Sequence, residues 1–218
     1  MSQAHEEIDH RSTRREFLHG ELHRGDLLQE PHAMLARWLK DAEAAGNFDV
    51  TAMALATATP EGRPSLRWVL LKHFDANGLC FYTDGRSRKG RDLAANPHAS
   101  LAFYWPENDR QVRVEGRIER LPESDNQAYF DQRPLGSRLA AAASHQSQPL
   151  ASREALEARI EELKRQYPAG DVPRNPDWGG YRLIPDMYEF WQGRESRLHD
   201  RFTYTRTDRG WAIQRLMP

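Results

Sequence analysis

Apolar and polar positions divide the chain into two strand-rich blocks around a helical middle. Residues 31–45 predict the first helix: Met34, Leu35, Trp38, Leu39 and Ala42 form one stripe, Pro31 suits the first turn, and Gly46 ends it. From Thr51 the period changes to two. TAMALATAT (51–59), SLRWVLLKHF (65–74) and LCFYT (79–83), with turns at 60–62 and 75–78, read as an antiparallel meander. A short helix over 87–95 stops before Pro97, and ASLAFYW (99–105) and QVRVEGRIERL (111–121) add two strands. Helical spacing then covers 123–131, 137–143 and 152–167, after which YRLI (181–184), MYEFWQ (187–192), RFTYTR (201–206) and WAIQRL (211–216) return to strand. There is no internal repeat, and the strand blocks flank the helices. The expected architecture is therefore mainly β, a barrel built as one sheet system with peripheral helices.

Length and composition narrow this picture. A chain of 218 residues suits one core, so the expected organisation is a mobile segment over 1–13 and a single domain over 14–218, with a helical insert around 123–167. Mean hydropathy is −0.84, and the longest apolar stretches, such as 68–71, fall far short of the roughly 20 residues that span a bilayer. The N-terminus lacks the apolar core of a signal peptide, so the expected location is cytoplasmic, with no membrane partner. The 31 Lys and Arg against 32 Asp and Glu remove the uniform positive field of a nucleic-acid binder. Cys80, the single cysteine, excludes an intramolecular disulfide and reads as a buried, inert thiol.

No GxGxxG follows a strand, and GxxxxGK[ST], HExxH, CxxC and GxSxG are absent, so dinucleotide, P-loop, common zinc and serine-hydrolase sites find no support and no metal is expected. What remains is a set of anion-binding side chains in four places. YTDGRSRKGRD gathers Ser87, Arg88 and Lys89 at a helix start, where free N–H groups favour a phosphate; a solvated basic helix start fits this segment as well. YFDQRPLGSR spaces Tyr129, Arg133 and Ser137 by four, although Pro134 bends the shared face; the three suit a second phosphate or an exposed polar face. Arg67 and Lys72 fall on opposite faces of a regular strand, so serving one point requires a bulge or a pair of sites; plain edge-strand charges fit the segment as well. In FWQGRESRLHDRF (190–202), Arg197, His199 and Arg201 alternate, and an extended backbone would put all three cations on one face, calling for an anion between them; a charged surface strand also explains the run, while Trp191 and Gly193 just before it suggest a shaped pocket.

Taken together, RWVLLKHFD, FYTDGRSRKG, RQVRVEGRIERL, YFDQRPLGSR, SHQSQ, FWQGRESRLHDRF and the terminal RLMP resemble the pyridoxine (pyridoxamine) 5′-phosphate oxidases, in order and from Arg14 to Pro218. The resemblance implies an FMN-binding split barrel of Greek-key type and a homodimer with FMN at the subunit interface. It also implies oxidation of pyridoxine or pyridoxamine 5′-phosphate by molecular oxygen to pyridoxal 5′-phosphate and hydrogen peroxide. Carried over by position, Arg67, Lys72, Tyr82, Thr83, Arg88, Lys89, Gln111, Gln146, Ser147, Trp191 and Arg201 match FMN-contacting residues. Lys72, Tyr129, Arg133 and Ser137 match the substrate-phosphate pocket, Arg14 a substrate-binding lid, and Arg197 and His199 the catalytic pair holding the substrate ring over the flavin. The chain departs from the family at Phe17, where the lid often carries tyrosine; the aromatic cover is kept and the hydroxyl lost. Two further readings of such a barrel, a non-enzymatic FMN- or pyridoxal-phosphate-binding protein and another flavin reductase, have no need for the whole set Tyr129, Arg133, Ser137, Arg197 and His199.

Overall fold

A computed structural model describes residues 9–218, so residues 1–8 of the segment expected to be mobile lie outside the described residues. Helix α1 (Pro31–Ala44) forms as its stripe demands, with Pro31 at its first turn and Met34, Leu35, Trp38 and Ala42 buried. Its Trp38 meets Phe190 edge to face at 5.2 Å, fastening the helix to the sheet.

Strands β1 (Ala52–Ala58), β2 (Pro64–Leu70), β3 (His73–Asp75), β4 (Gly78–Asp84), β5 (His98–Trp105), β6 (Arg110–Arg120), β7 (Trp178–Gln192), β8 (Asp200–Thr207) and β9 (Gly210–Leu216) form one antiparallel sheet. Its main order is β2-β1-β5-β6-β7-β4-β3, with β8 on β7 and β9 on β8. Alternation on β1 and β6 sends Met53, Leu55, Val112, Val114 and Ile118 into a common core with Phe81, Leu101, Phe103 and Phe190. The sheet curls until β2 contacts β4 without pairing to it. This open seam makes the fold a split β-barrel.

Strand β7 is where the sheet forks. Its first half pairs with β4 (Asp84↔Trp178 to Leu79↔Leu183) and its second half with β8 (Thr205↔Met187 to Asp200↔Gln192), while β6 runs along its other edge. The sequence pattern divides this stretch into two short strands; the structure has one of 15 residues. Pro185 explains the discrepancy. It lies beside the register shift opposite Glu115 and Gly116, in the interval between β4 and β8, where a residue without an N–H is tolerated inside a strand. The stretch read as one strand over 65–74 is conversely broken at Leu71 and Lys72 into β2 and β3.

Helix α2 (Arg88–Ala95) follows β4, and α3 (Glu123–Gln132), α4 (Leu135–Ala143) and α5 (Arg153–Gln166) fill the interval between β6 and β7. Pro134 separates α3 from α4. Cys80 is buried and free, and burial pushes its thiol pKa up. Among the described residues no helix is long and apolar enough to cross a membrane.

Candidate functional site

Two cavities adjoin at β4, the first in the open seam and the second between β4 and the helices α3 to α5. One, of about 540 Å³, is lined by Arg67 on β2, Lys72, Tyr82 and Thr83 on β4, Arg88 and Lys89 on α2, and Gln146 and Ser147 in the loop after α4. The break after Leu70 settles the placement of Arg67 and Lys72: Lys72 has left β2, its amide bonding the Cys80 carbonyl at 2.9 Å, so period two no longer applies and both side chains line one cavity.

Ser87 caps α2, its Oγ accepting from the Gly90 amide at 3.3 Å, and is fully buried. Lys89, 8% exposed, reaches back and donates to Gln146 Oε1 at 2.8 Å, Thr83 Oγ1 at 3.0 Å and Ser87 Oγ at 3.3 Å. Burial, with Arg67 nearby, pushes its pKa down to about 8. Arg67 donates to Leu55 O, Thr57 Oγ1 and Ser65 Oγ and stands 3.8 Å from Asp92, which also receives the Thr57 hydroxyl at 2.7 Å. Ser147 completes the cavity in a left-handed conformation, φ 68°, a strain that a serine adopts only where its surroundings enforce it. A buried lysine and an arginine beside an exposed Arg88 fit a dianionic phosphate such as that of FMN.

The second cavity, about 420 Å³, shares Lys72, Tyr82, Thr83 and Gln146 with the first and adds Tyr129, Arg133, Ser144, Leu156, Ile160 and Trp178. Tyr82 and Tyr129 stack at 3.9 Å, Trp178 lies parallel to both, and the Arg133 guanidinium rests 4.6 Å over the Trp178 ring. A side chain at Gly180 would strike the Tyr82 ring at 2.8 Å, so glycine there lets that ring lie flat on β7. Burial pushes the Tyr82 pKa up to about 12 and that of Tyr129 upward, keeping both phenols protonated as donors. Arg133 Nη1 is buried with no hydrogen-bond partner, an arrangement that leaves a charged donor for an anion. Ser137 does not line this cavity; α3 ends at Gln132, and the turn to α4 removes it from the face of Tyr129 and Arg133.

The remaining candidates sit at the other end of β7. Gln111 is opposite Trp191, and Trp191 opposite Arg201. The single cationic face expected for Arg197, His199 and Arg201 does not form. Ser196 (φ 55°) and Arg197 (φ 62°) are left-handed within a helical turn over Glu195–Arg197, so the backbone is not extended and alternation is lost. Arg201 is instead neutralised within the chain: its Nε donates to Glu189 Oε1 at 2.8 Å, and buried Glu189 also takes Arg113 at 2.9 Å. His199 Nδ1 accepts the Arg194 amide at 3.1 Å, which places the ring proton on Nε2. Burial first, and Arg197 second, lower its pKa, favouring the neutral ring with Nε2–H as a donor. Its ring lies 4.5 Å from Trp191 and 5.2 Å from Phe17. Arg14 is exposed, with Nη1 on the Arg11 and Thr13 carbonyls.

Trp178, Asp92 and Glu189 line the site or support it and were missed by the sequence reading. Only Trp178 carried a signal, as an aromatic residue immediately before the Gly179–Gly180 pair.

Fold and site thus define a split-barrel protein with two adjoining cavities lined by basic and aromatic side chains. The family model described as pyridoxamine 5′-phosphate oxidase matches residues 40–167, and that described as pyridoxine 5′-phosphate oxidase C-terminal dimerisation region matches 178–218. The pyridoxine/pyridoxamine 5′-phosphate oxidase of Rubrobacter xylanophilus is 51% identical over 205 residues, covering 94% of each chain. The crystal structure of PhzG from Burkholderia lata 383 in complex with tetrahydrophenazine-1-carboxylic acid superposes with a TM-score of 0.84 at 39% identity, over 89% of this chain and 95% of that one. A pyridoxamine 5′-phosphate oxidase-related, FMN-binding protein from Nostoc punctiforme shares the fold, with a TM-score of 0.69 at 22% identity over 88% of this chain and 99% of that one. The chain belongs to the pyridoxamine 5′-phosphate oxidase family.

Proposed function

We propose that the protein is an FMN-dependent oxidase that converts pyridoxine or pyridoxamine 5′-phosphate to pyridoxal 5′-phosphate as a homodimer. One observation carries this reading: two anion cavities adjoin and share Lys72, and the second holds a buried arginine nitrogen with no partner. A cofactor and a substrate that each bear a phosphate, with their rings in contact, call for that arrangement.

Arg67, Arg88 and Lys89 hold the cofactor phosphate, with Thr83, Gln146 and Ser147 around it. Tyr129, Arg133 and Lys72 hold the substrate phosphate. When bound, FMN accepts a hydride equivalent from the substrate carbon bearing the alcohol or amine and passes two electrons to oxygen, giving hydrogen peroxide. With the amine substrate, water completes the reaction and ammonia leaves.

Trp191, Arg197, His199 and Arg201 act on the same rings from a second copy of the chain. Tyr82 pairs with Gly180, and Trp191 stands eleven residues further along β7, about 36 Å of strand at the usual rise. In the homodimer the second copy brings its β7–β8 end to the first copy's cavities. Strand β2 supplies a surface for that contact: Leu66 and Trp68, 67% and 66% exposed, and Leu70 alternate outward on a sheet edge. His199 Nε2–H then donates to a ring substituent, and Arg197 supplies charge beside it.

The likeness to PhzG favours a second reading, oxidation of a polycyclic carboxylic acid whose carboxylate would take Arg133. One experiment separates the two. The purified protein is checked for flavin absorbance, then given pyridoxine 5′-phosphate, pyridoxamine 5′-phosphate or a reduced phenazine carboxylic acid under oxygen, while product and peroxide are followed. Pyridoxal 5′-phosphate with matching peroxide is the expected result. Bound flavin with turnover of the phenazine alone would transfer the reading to PhzG-type chemistry; flavin with turnover of none would leave a binding protein. Arg197→Ala and His199→Ala are expected to retain flavin and impair substrate handling.

A further inference from the structure

Away from the anion cavities, one buried carboxylate takes no part in the proposed reaction and yet joins two segments that do. Asp109 is fully buried in a left-handed turn after β5, φ 52°. Its Oδ1 accepts from Arg15 Nη2 at 2.5 Å, and its Oδ2 from the amides of Leu18 and His19 at 3.1 and 3.4 Å. Its backbone carbonyl accepts from the Gly193 amide at 2.7 Å and from Gln192 Nε2 at 3.3 Å. One residue therefore grips residues 15–19 with its side chain and residues 192–193 with its backbone.

What lies between them is Phe17. Its ring meets Trp191 and His199 edge-on, at 5.5 and 5.2 Å, and a Cβ on Gly193 would stand 2.7 Å from it. Asp200 repeats the device further along, accepting from the Leu22 amide, Arg194 Nη1 and Arg215 Nη1. Arg194 is also the residue whose amide fixes the His199 tautomer.

We infer that Asp109 is a positioning residue: its carboxylate latches residues 15–19 onto the loop over 192–199 and so seats Phe17 against the His199 imidazole that faces the substrate ring. A carboxylate removed from water requires several donors, and charge-assisted bonds fix its geometry more firmly than neutral ones. Three of its donors come from the segment carrying Phe17, so the ring's position follows the latch. The inference rests on the proposed role of His199 toward the substrate ring.

Asp109→Gly tests it, since glycine accepts the left-handed backbone and removes the carboxylate. Asp109→Asn keeps one acceptor oxygen and tolerates the same backbone. On holoenzyme, amide hydrogen exchange at Leu18 and His19 is measured beside KM and kcat for pyridoxine 5′-phosphate. Exchange in the glycine variant is expected to rise about tenfold or more, with KM raised about tenfold and kcat within about threefold, the asparagine variant falling between. Unchanged exchange overturns the latch, and faster exchange with unchanged KM reduces Asp109 to a residue that only stabilises the fold. Should the glycine variant not fold, the asparagine variant carries both readouts. If wild-type protein oxidises neither vitamer phosphate, the substrate reading fails by itself, and exchange at Leu18 and His19 still decides whether Asp109 holds the segment.

Discussion

The two ends of β7 are both rich in arginine, and they use it in opposite ways. Near Trp178, Arg133 keeps a buried nitrogen without a partner and Lys89 is held by neutral oxygens alone. Near Gln192, four arginines are answered within the chain: Arg201 by Glu189, Arg194 and Arg215 by Asp200, and Arg15 by Asp109. An arginine hydrogen-bonded to its own carboxylate holds a segment; one whose bonds go to neutral oxygens, as those of Arg67 do, or are missing, as at Arg133 Nη1, keeps its charge for a ligand. On the proposed function the first end binds phosphates and the second orients rings, and counting basic residues along the sequence cannot tell the two apart.

The sharpest way to break this comparison is at Arg133. Hydrogen bonds from a charged donor contribute about 1.5–3 kcal/mol each, so Arg133→Ala is expected to lower kcat/KM for pyridoxine 5′-phosphate by roughly 100-fold or more. Flavin content, read by absorbance after gel filtration, is expected to hold. Activity unaffected by this change would place the substrate phosphate elsewhere.

Lys89 gives the next largest effect, and one with a sign in pH. Its pKa in the ligand-free protein is about 8, below the ordinary 10.5, because burial penalises the charged form. Above pH 8 the free protein loses the ammonium and must take up a proton to pair with a phosphate. FMN affinity is thus expected to fall as pH rises past about 8, by at most about tenfold per pH unit. Lys89→Met is expected to weaken FMN about 10- to 100-fold at pH 7 and to flatten that dependence. For ligand-free stability the sign reverses: between about pH 8 and 10.5 the unfolded chain binds the extra proton, so stability rises with pH across that window. Titrations of FMN fluorescence and melting curves at pH 7, 8, 9 and 10 check both directions.

At the orienting end the effects are smaller, because a ring is shifted and no charge is lost. Gly193→Ala would bring a methyl group to 2.7 Å from the Phe17 ring, an overpacking that costs about 1–3 kcal/mol unless the ring moves. KM for pyridoxine 5′-phosphate is expected to rise about fivefold with flavin affinity unchanged. A larger loss of flavin than of substrate affinity would reverse the roles given to the two ends.

These differences in size also mark what the sequence makes legible. Helix α1, the alternation of β1 and β6 and the basic residues that come to line the two cavities, Arg67, Lys89 and Arg133, are written locally, in spacing and residue type. The fork of β7 is not, because Pro185 reads as a boundary when its neighbours are unknown, and it lies inside a strand because β6 still pairs beside it. Nor is the loss of the cationic face at 197–201, which depends on left-handed residues at Ser196 and Arg197 that no period encodes. The carboxylates that neutralise the arginines were invisible for a related reason: Glu189 reaches Arg113 through strand register, and Asp109 reaches Arg15 across 94 positions. Residue type announces an anion site, but tertiary pairing decides whether the site is already filled.

Phe17 carries the smallest and most discriminating prediction. Its ring is half-buried, edge-on to both Trp191 and His199, so the packing that tyrosine would provide at this position is already present. Phe17→Tyr adds only a hydroxyl, worth about 0.5–1.5 kcal/mol if it finds a partner. With substrate bound, KM is expected to fall by about two- to threefold while the melting temperature of ligand-free protein stays within about 2 °C. In the Asp109→Gly background the same hydroxyl should gain nothing, because a ring no longer held against His199 cannot aim it. A gain of equal size in both backgrounds would show that Phe17 finds its place without the latch, and that the orienting end is held by Trp191 and His199 alone.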